Sequence, residues 1–245
     1  MGAGGHMGSK NIKAFHPSHI DFELYKDNYQ QKVQESIKFT GQNLDFFTEV
    51  KVRNLLDLSL RHQGDPKRLT ILDVGCGVGI TDYHLTGHFK KLHGIDLGPG
   101  MIRKASALNP KASYRYYKGG KLPYSTGCMD VTFAICVMHH VPQNQMASFT
   151  REMVRVTRKG GIIAVFEHNP WNPLTLRAVS ACDLDEDAIL LRRTQVAHLL
   201  ETAGAAVVEK RYILFTPIRG AFFALLDRWF GFIPLGAQYF VAARK

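Results

Sequence analysis

The run Ile71-Leu72-Asp73-Val74-Gly75-Cys76-Gly77-Val78-Gly79 constrains the fold more than any other stretch of the chain. An apolar segment of strand character passes straight into three glycines at alternate positions, and a helical pattern follows. Glycine lets the backbone take positive φ and lets a ligand approach without meeting a Cβ. The helix start beyond it offers free N–H groups to a carboxylate or phosphate. Such a strand, loop and helix suit a nucleotide-like cofactor. Spacing then narrows the choice. A dinucleotide fingerprint needs its third glycine one position later, where this chain has Ile80. The Gly-Lys-Ser/Thr of a phosphate loop is absent. Asp96, closing a second strand in Gly94-Ile95-Asp96-Leu97, is placed to accept hydrogen bonds from both hydroxyls of a ribose.

From Pro66 onward strands alternate with helices. The pattern predicts strands at Leu69–Val74, Lys91–Leu97, Tyr114–Tyr117, Asp130–Met138, Gly161–Phe166, Val207–Thr216 and Gln238–Ala243. A helix carrying Met146, Phe149, Met153 and Val156 precedes the fifth strand and is closed by Lys159-Gly160-Gly161. Strands separated mostly by helices indicate an α/β fold with a doubly wound, mostly parallel sheet. Before Gly64-Asp65-Pro66 there is no strand signal. Residues 10–62 read as an N-terminal helical lid, with Phe22, Tyr25 and Tyr29 at helical spacing and a second helix from Leu44 through Leu60. Residues 1–9 read as an appended tag remnant outside the fold, and residues 63–245 as the cofactor domain.

Composition agrees with one large domain. Of 245 residues, 45% are hydrophobic and 21% charged, enough to bury a core without disulfide or metal staples. Cys76, Cys128, Cys136 and Cys182 have no redox or metal-ligand spacing, so reduced thiols, no metal site and a cytoplasmic location are expected. No apolar run reaches the roughly 20 residues needed to span a bilayer. The net charge of +10 favours anionic partners in general. It comes with no arginine-rich arm, RNA-binding aromatic motif or zinc spacing, so nucleic acid is not the expected partner.

With the glycine motif LDVGCGVG, the second-strand motif GIDLGPGMI, then LPYSTGCMDVTFAICVMHHV and RVTRKGGIIAVFE in order, the chain resembles the class I S-adenosylmethionine-dependent methyltransferases from about Leu69 to the C-terminus. The resemblance, closest to small-molecule members of the type 11 kind, implies a Rossmann-like seven-stranded sheet of order 3-2-1-4-5-7-6 with the seventh strand antiparallel. It implies S-adenosylmethionine as cofactor. Asp73, Gly75, Gly77 and Gly79 would line its methionine end, Asp96 would hold the ribose, and Leu97 and Met101 would flank the adenine. Many relatives place an Asp on the adenine amino group where this chain has Lys118, leaving the backbone of Gly119 or Gly120 to serve. Cys136 lies near the cofactor on the fourth strand, and a buried structural thiol is the competing reading.

Methyl transfer from a sulfonium is an in-line displacement, and a base is needed only when the acceptor must lose a proton. Candidate bases are His139 and His140 after the fourth strand and His168 after the fifth, against the simpler readings of loop capping and cofactor contact. Glu167, Trp171, Tyr25 and Tyr29 are candidate acceptor contacts, against ordinary packing. Asn169-Pro170-Trp171-Asn172 superficially resembles the motif of base-amino methyltransferases, but it follows the fifth strand and lacks the second proline. A small-molecule acceptor is therefore expected, whether through O, N or C. An RNA methyltransferase and a non-catalytic cofactor-binding scaffold are the rivals. A hydrophobic insertion at 217–236 puts Phe222, Leu225, Leu226, Trp229 and Ile233 on one helical face. It reads as a helix on the sheet or a homodimer interface, or as a lipid or membrane-surface contact helped by Arg211, Arg219 and Arg228.

Overall fold

A computed structural model describes residues 22–216, 218 and 229–245. Its centre is a seven-stranded sheet of β1 (Thr70–Val74), β2 (Lys91–Asp96), β3 (Ser113–Tyr116), β4 (Met129–Ile135), β5 (Thr157–His168), β6 (Ala206–Ile213) and β7 (Gln238–Arg244). The spatial order is β3-β2-β1-β4-β5-β7-β6, with β7 antiparallel to both neighbours and the other pairs parallel. This is the order the resemblance implies. The central strands are buried on both faces, so their sequences are nearly continuous apolar runs.

Alternation along the strands splits the core in two. Leu72, Val74, Ile163, Val165, Tyr239 and Val241 face a layer with Met146, Phe149 and Met153 of α5 (Gln143–Val156) and Val196 and Leu200 of α7 (Arg193–Thr202). Ile71, Val131, Phe133, Ile162, Ala164, Phe166 and Phe240 face the other way. There they meet Phe46, Val50, Leu55 and Leu58 of α2 (Leu44–Gln63) and Leu85 of α3 (Ile80–Leu85). The long helix assigned to a lid is thus a layer of the core. Asn43 starts it by accepting from the Phe46 N–H at 3.1 Å, and Gly64, at φ 85°, ends it. Ahead of it come the single turn Phe22–Tyr25 and α1 (Tyr29–Ile37).

Three strand boundaries lie three or more residues from the sequence expectation. β4 stops at Ile135, not Met138, because Cys136 turns the chain at φ 55° and Met138–His140 forms a 3-10 turn. β6 stops at Ile213, not Thr216, where Leu214 takes φ 62°. β5 begins at Thr157 directly after α5, so Lys159-Gly160-Gly161 is a bulge inside the strand and not the helix stop. Pairing jumps from Met129↔Thr157 to Val131↔Ile162 across it. An Arg158–Asp130 ion pair at 2.6 Å holds the bulge, and a Cβ on Gly161 would lie 2.7 Å from the Asp130 carbonyl oxygen.

Among the described residues no helix is long and apolar enough to cross a membrane. Residues 217 and 219–228, most of the hydrophobic insertion, lie outside the described residues, as does the expectation of an interface or membrane contact built on them. Of its described end, Trp229, Phe230, Phe232 and Leu235 are exposed.

Candidate active site

The C-terminal ends of β1, β4 and β5 open into a cavity of about 220 Å³ roofed by α1 and flanked by α6 (Pro173–Ser180). Open α/β sheets bind ligands at this end because the loops there connect to helices on opposite faces.

Its floor is the glycine loop. Gly75, Gly77 and Gly79 have φ of 85°, 53° and 81°, a region that side chains rarely adopt. A Cβ on Gly75 would meet the Val137 methyls at 2.6 and 2.7 Å, whereas one on Gly77 would meet nothing within 4 Å, open space toward the cavity. Gly79 starts α3 and packs behind the loop, where Asn109 donates to its carbonyl at 2.9 Å. The Gly75 and Cys76 N–H groups donate to the Ile95 carbonyl, fastening the loop to β2. At the end of β2 the Asp96 carboxylate accepts from the Gly77 N–H at 2.9 Å and the Gly98 N–H at 2.8 Å. These bonds fix both oxygens and leave lone pairs for a diol. Burial raises the Asp96 pKa.

Asp73 lines the cavity, and its Oδ1 is buried without a partner. Burial and the neighbouring Asp82 push the Asp73 pKa well above the carboxylate range, and burial pushes Asp82 up to about 7. Tyr114 donates to Asp82 at 2.8 Å. Two desolvated carboxylates side by side call for a cation. The ammonium and sulfonium of S-adenosylmethionine supply positive charge, so the cradle, the orphaned oxygen and the Asp96 geometry fit this cofactor.

The other end of the cavity carries Cys136, His140, His168, Asp185, Lys51 and Gln238. Lys51 reaches Cys136 Sγ at 4.0 Å, and Gln238 Nε2 lies 3.6 Å from the same sulfur and 3.3 Å from His168 Nδ1. Burial would raise the Cys136 thiol, but Lys51 and His168 outweigh it and hold it below its ordinary pKa. Burial would lower His168, and Cys136 reverses that. Burial and the neighbouring His139 push His140 down to about 3, so this ring is neutral and a weak base.

Two expected contacts sit beneath the cavity instead of in it. Glu167, 1% exposed, accepts from the Val137 and Met138 N–H groups at 3.2 and 2.7 Å and pairs with His139 Nδ1 at 2.5 Å. His139, also 1% exposed, is held well above the histidine range by Glu167 and Asp185 despite its burial. They brace the chain after β4. Trp171 is 58% exposed beneath the Arg192 guanidinium, away from the cavity, because Asn169 turns the chain. Asn169 donates to the Pro234 and Gly236 carbonyls at 3.1 and 2.8 Å and accepts from the Trp171 N–H. Tyr29 of α1 lines the cavity, while Tyr25 is half-buried outside it. Leu97 is half-buried beyond Asp96, Met101 is on the buried face of α4 (Pro99–Leu108), and Gly119 holds a left-handed turn at φ 84°.

Sequence reasoning missed Lys51 and Asp185. The signal for Lys51 was a cation on the apolar face of a helix, between Thr48 and Leu55; the residue is 7% exposed. Asp185 belongs to Asp183-Leu184-Asp185-Glu186-Asp187, an acidic stretch indistinguishable in sequence from a solvated loop.

Fold and cradle together define an α/β protein built to hold an adenosine cofactor at the end of β1 and β2. Comparison with known proteins specifies which kind. The family described as "Methyltransferase domain" matches residues 72–165. An uncharacterized methyltransferase of Synechocystis sp. is 29% identical over 146 residues, 57% of this chain and 68% of that one. A ubiquinone biosynthesis O-methyltransferase of Methylobacterium nodulans is 24% identical over 223 residues, 81% of this chain and 84% of that one. Of three further relatives the chain spans 33–45% of the length. A SAM-dependent methyltransferase structure from Thermotoga maritima has the same fold, with TM-score 0.64 and 15% identity over 91% of this chain and 98% of that one. The family match, the relatives and the shared fold support a class I S-adenosylmethionine-dependent methyltransferase.

Proposed function

We propose that the protein methylates a hydroxyl of a small, largely apolar molecule, with His168 taking the hydroxyl proton. The cavity carries this reading. It joins Asp73, Gly75 and Gly77 to a wall of Val33, Ile37, Phe39, Phe47, Leu174 and Val179, with a polar end at Cys136, His168 and Gln238. An apolar body with one ionisable oxygen matches that distribution. The likeness to a ubiquinone biosynthesis O-methyltransferase supports a phenolic or quinol acceptor.

When bound, S-adenosylmethionine supplies a methyl carbon already activated on sulfur. The chain's own share is to hold, orient and exclude water. Asp73 balances the ammonium, the Gly75–Gly77 backbone admits the methionine end, and Asp96 takes the ribose hydroxyls. Leu97, Met101 and Gly119 border the adenine. Tyr29 and α1 close the cavity above. His140 is too weak a base at about 3, which leaves His168 as the imidazole that accepts a proton near neutrality. The Gln238 amide orients that ring, its Nε2 lying 3.3 Å from His168 Nδ1.

The test is transfer of a labelled methyl from S-adenosylmethionine to panels of phenols and quinols, amines, and RNA, read by mass spectrometry. Label in the phenol or quinol panel, a kcat at least tenfold lower in His168→Ala, and unchanged cofactor affinity in that variant are expected. Asp96→Ala should weaken cofactor binding by about 1.5–3 kcal/mol, the worth of hydrogen bonds to a charged group, measured by calorimetry. Label confined to amines or RNA overturns the hydroxyl reading.

A further inference from the structure

The polar end of the cavity holds a cluster the methyl-transfer reading does not use. His139 Nε2 and His140 Nε2 each lie 3.4 Å from Asp185 Oδ1, and one ligand atom from each of the three residues falls within 4.8 Å of the others. They come from two separate turns, Met138–His140 and Asp183–Asp185, held together by the Ile189 N–H donating to the His139 carbonyl at 2.8 Å. We propose that His139, His140 and Asp185 bind one divalent transition-metal ion, of which Zn²⁺ is the best match.

Four observations carry this. The first is size. Bonds of about 2.1 Å at tetrahedral angles put neighbouring ligand atoms about 3.4 Å apart, the spacing seen from each imidazole nitrogen to the carboxylate. The second is the outer partner of His139. Its Nδ1 pairs with Glu167 at 2.5 Å, and Glu167 is itself fixed by two backbone N–H groups. A carboxylate on the far nitrogen sets the tautomer that leaves Nε2 free to ligate, the arrangement found behind metal-bound histidines. The third is a buried polar atom without a hydrogen bond. His139 is 1% exposed, and its Nε2, aimed at Asp185, has none. The fourth is the donor set. Two imidazoles and one carboxylate suit Zn²⁺ with an open position, or Fe²⁺. His140 and Asp185 line the acceptor cavity, so the open side faces it.

The cysteines have no ligand spacing; the ligands are adjacent histidines and a distant aspartate. Without metal, the same atoms form an ion pair of His139 with Asp185, and the experiment separates the two.

Chelator-treated full-length protein is dialysed against Zn²⁺, and separately Co²⁺, with metal measured by mass spectrometry and the Co²⁺ complex by visible absorption. One ion per chain and the intense visible bands of a four-coordinate Co²⁺ site are expected. His140→Ala and Asp185→Asn should each weaken binding at least tenfold while retaining the wild-type circular dichroism. Glu167→Gln should weaken it about tenfold or more, as second-shell changes do. No uptake by the wild type, or uptake unchanged in the His140→Ala and Asp185→Asn variants, overturns the site. Because the readout is metal and not methyl transfer, the result stands apart from the identity of the acceptor.

Discussion

Asp73 and Asp82 show how a single pair of side chains ties the cofactor to pH. Both carboxylates are buried, and Asp82 titrates at about 7. A carboxyl raised in the folded protein binds protons that the unfolded chain, at its ordinary value near 3.8, has already lost. Between those values the native state holds more protons, so the cofactor-free protein loses stability as pH rises toward 7. A bound ammonium beside Asp73 works in the opposite direction, drawing the proton off. Cofactor affinity should therefore rise by up to tenfold per pH unit as pH climbs from 6 to 7 and flatten above. Calorimetry in buffers of different ionisation enthalpy should show proton release below pH 7 that disappears in Asp82→Asn. Affinity that is flat from pH 6 to 8 contradicts this account. At this scale the sequence was informative for one half of the site only. Asp73, the glycines and Asp96 stand in a spaced motif, while Lys51 and Asp185 acquire meaning only through neighbours distant in the chain. Glu167 and His168 are adjacent, yet strand alternation sends one beneath the cavity and the other into it.

Among the elements, the turn Phe22–Tyr25 and α4 form a joint that bears on the adenosine side. The Gly100 N–H donates to Glu23 Oε2 at 2.7 Å, so a carboxylate from the N-terminal segment caps the helix that follows Asp96. The fit is close, since a Cβ on Gly100 would lie 2.8 Å from the Glu23 carboxyl carbon. Lys26 and Arg103 stand near the same carboxylate at 3.6 and 3.7 Å, exposed pairs that add little. Glu23→Ala should cost about 1 kcal/mol, the usual worth of a helix cap. It should also speed proteolytic cleavage between residues 22 and 40 while the sheet stays intact. An unchanged melting temperature and cleavage pattern would show that the joint is not a latch. None of this was legible beforehand. The sequence shows a helix with Tyr25 and Tyr29 on one face, but the segment is a 3-10 turn followed by a separate helix, and Glu23 carries the contact. Elements inside the sheet were easier to read because burial on both faces imposes long apolar runs; their ends were harder, being set by Cys136 and Leu214 in backbone conformations no pattern announces.

The whole molecule depends on the sheet as one unit. Phe133 on β4 is fully buried in the layer shared with α2 and α3. Phe133→Ala should cost about 3–5 kcal/mol, a large share of the roughly 5–15 kcal/mol typical of a domain. Urea denaturation should show a lowered midpoint with an unchanged slope, partly restored by saturating cofactor through mass action. An effect below about 1 kcal/mol would mean that this layer is loosely packed. The net charge of +10 has no counterpart in the fold's logic. The core clusters on the two faces of the sheet are built from apolar side chains, and their burial sets the topology.

β7 lies between β5 and β6 although it follows both of them in the sequence. On a growing chain, β6 emerges before β7, the strand it pairs with in the finished sheet. Until residues 238–244 clear the exit tunnel, β5 offers an open hydrogen-bonding edge and β6 a second one. A folding chain is thus most vulnerable to self-association before β7 inserts, and a chaperone or a nearby copy would find it there.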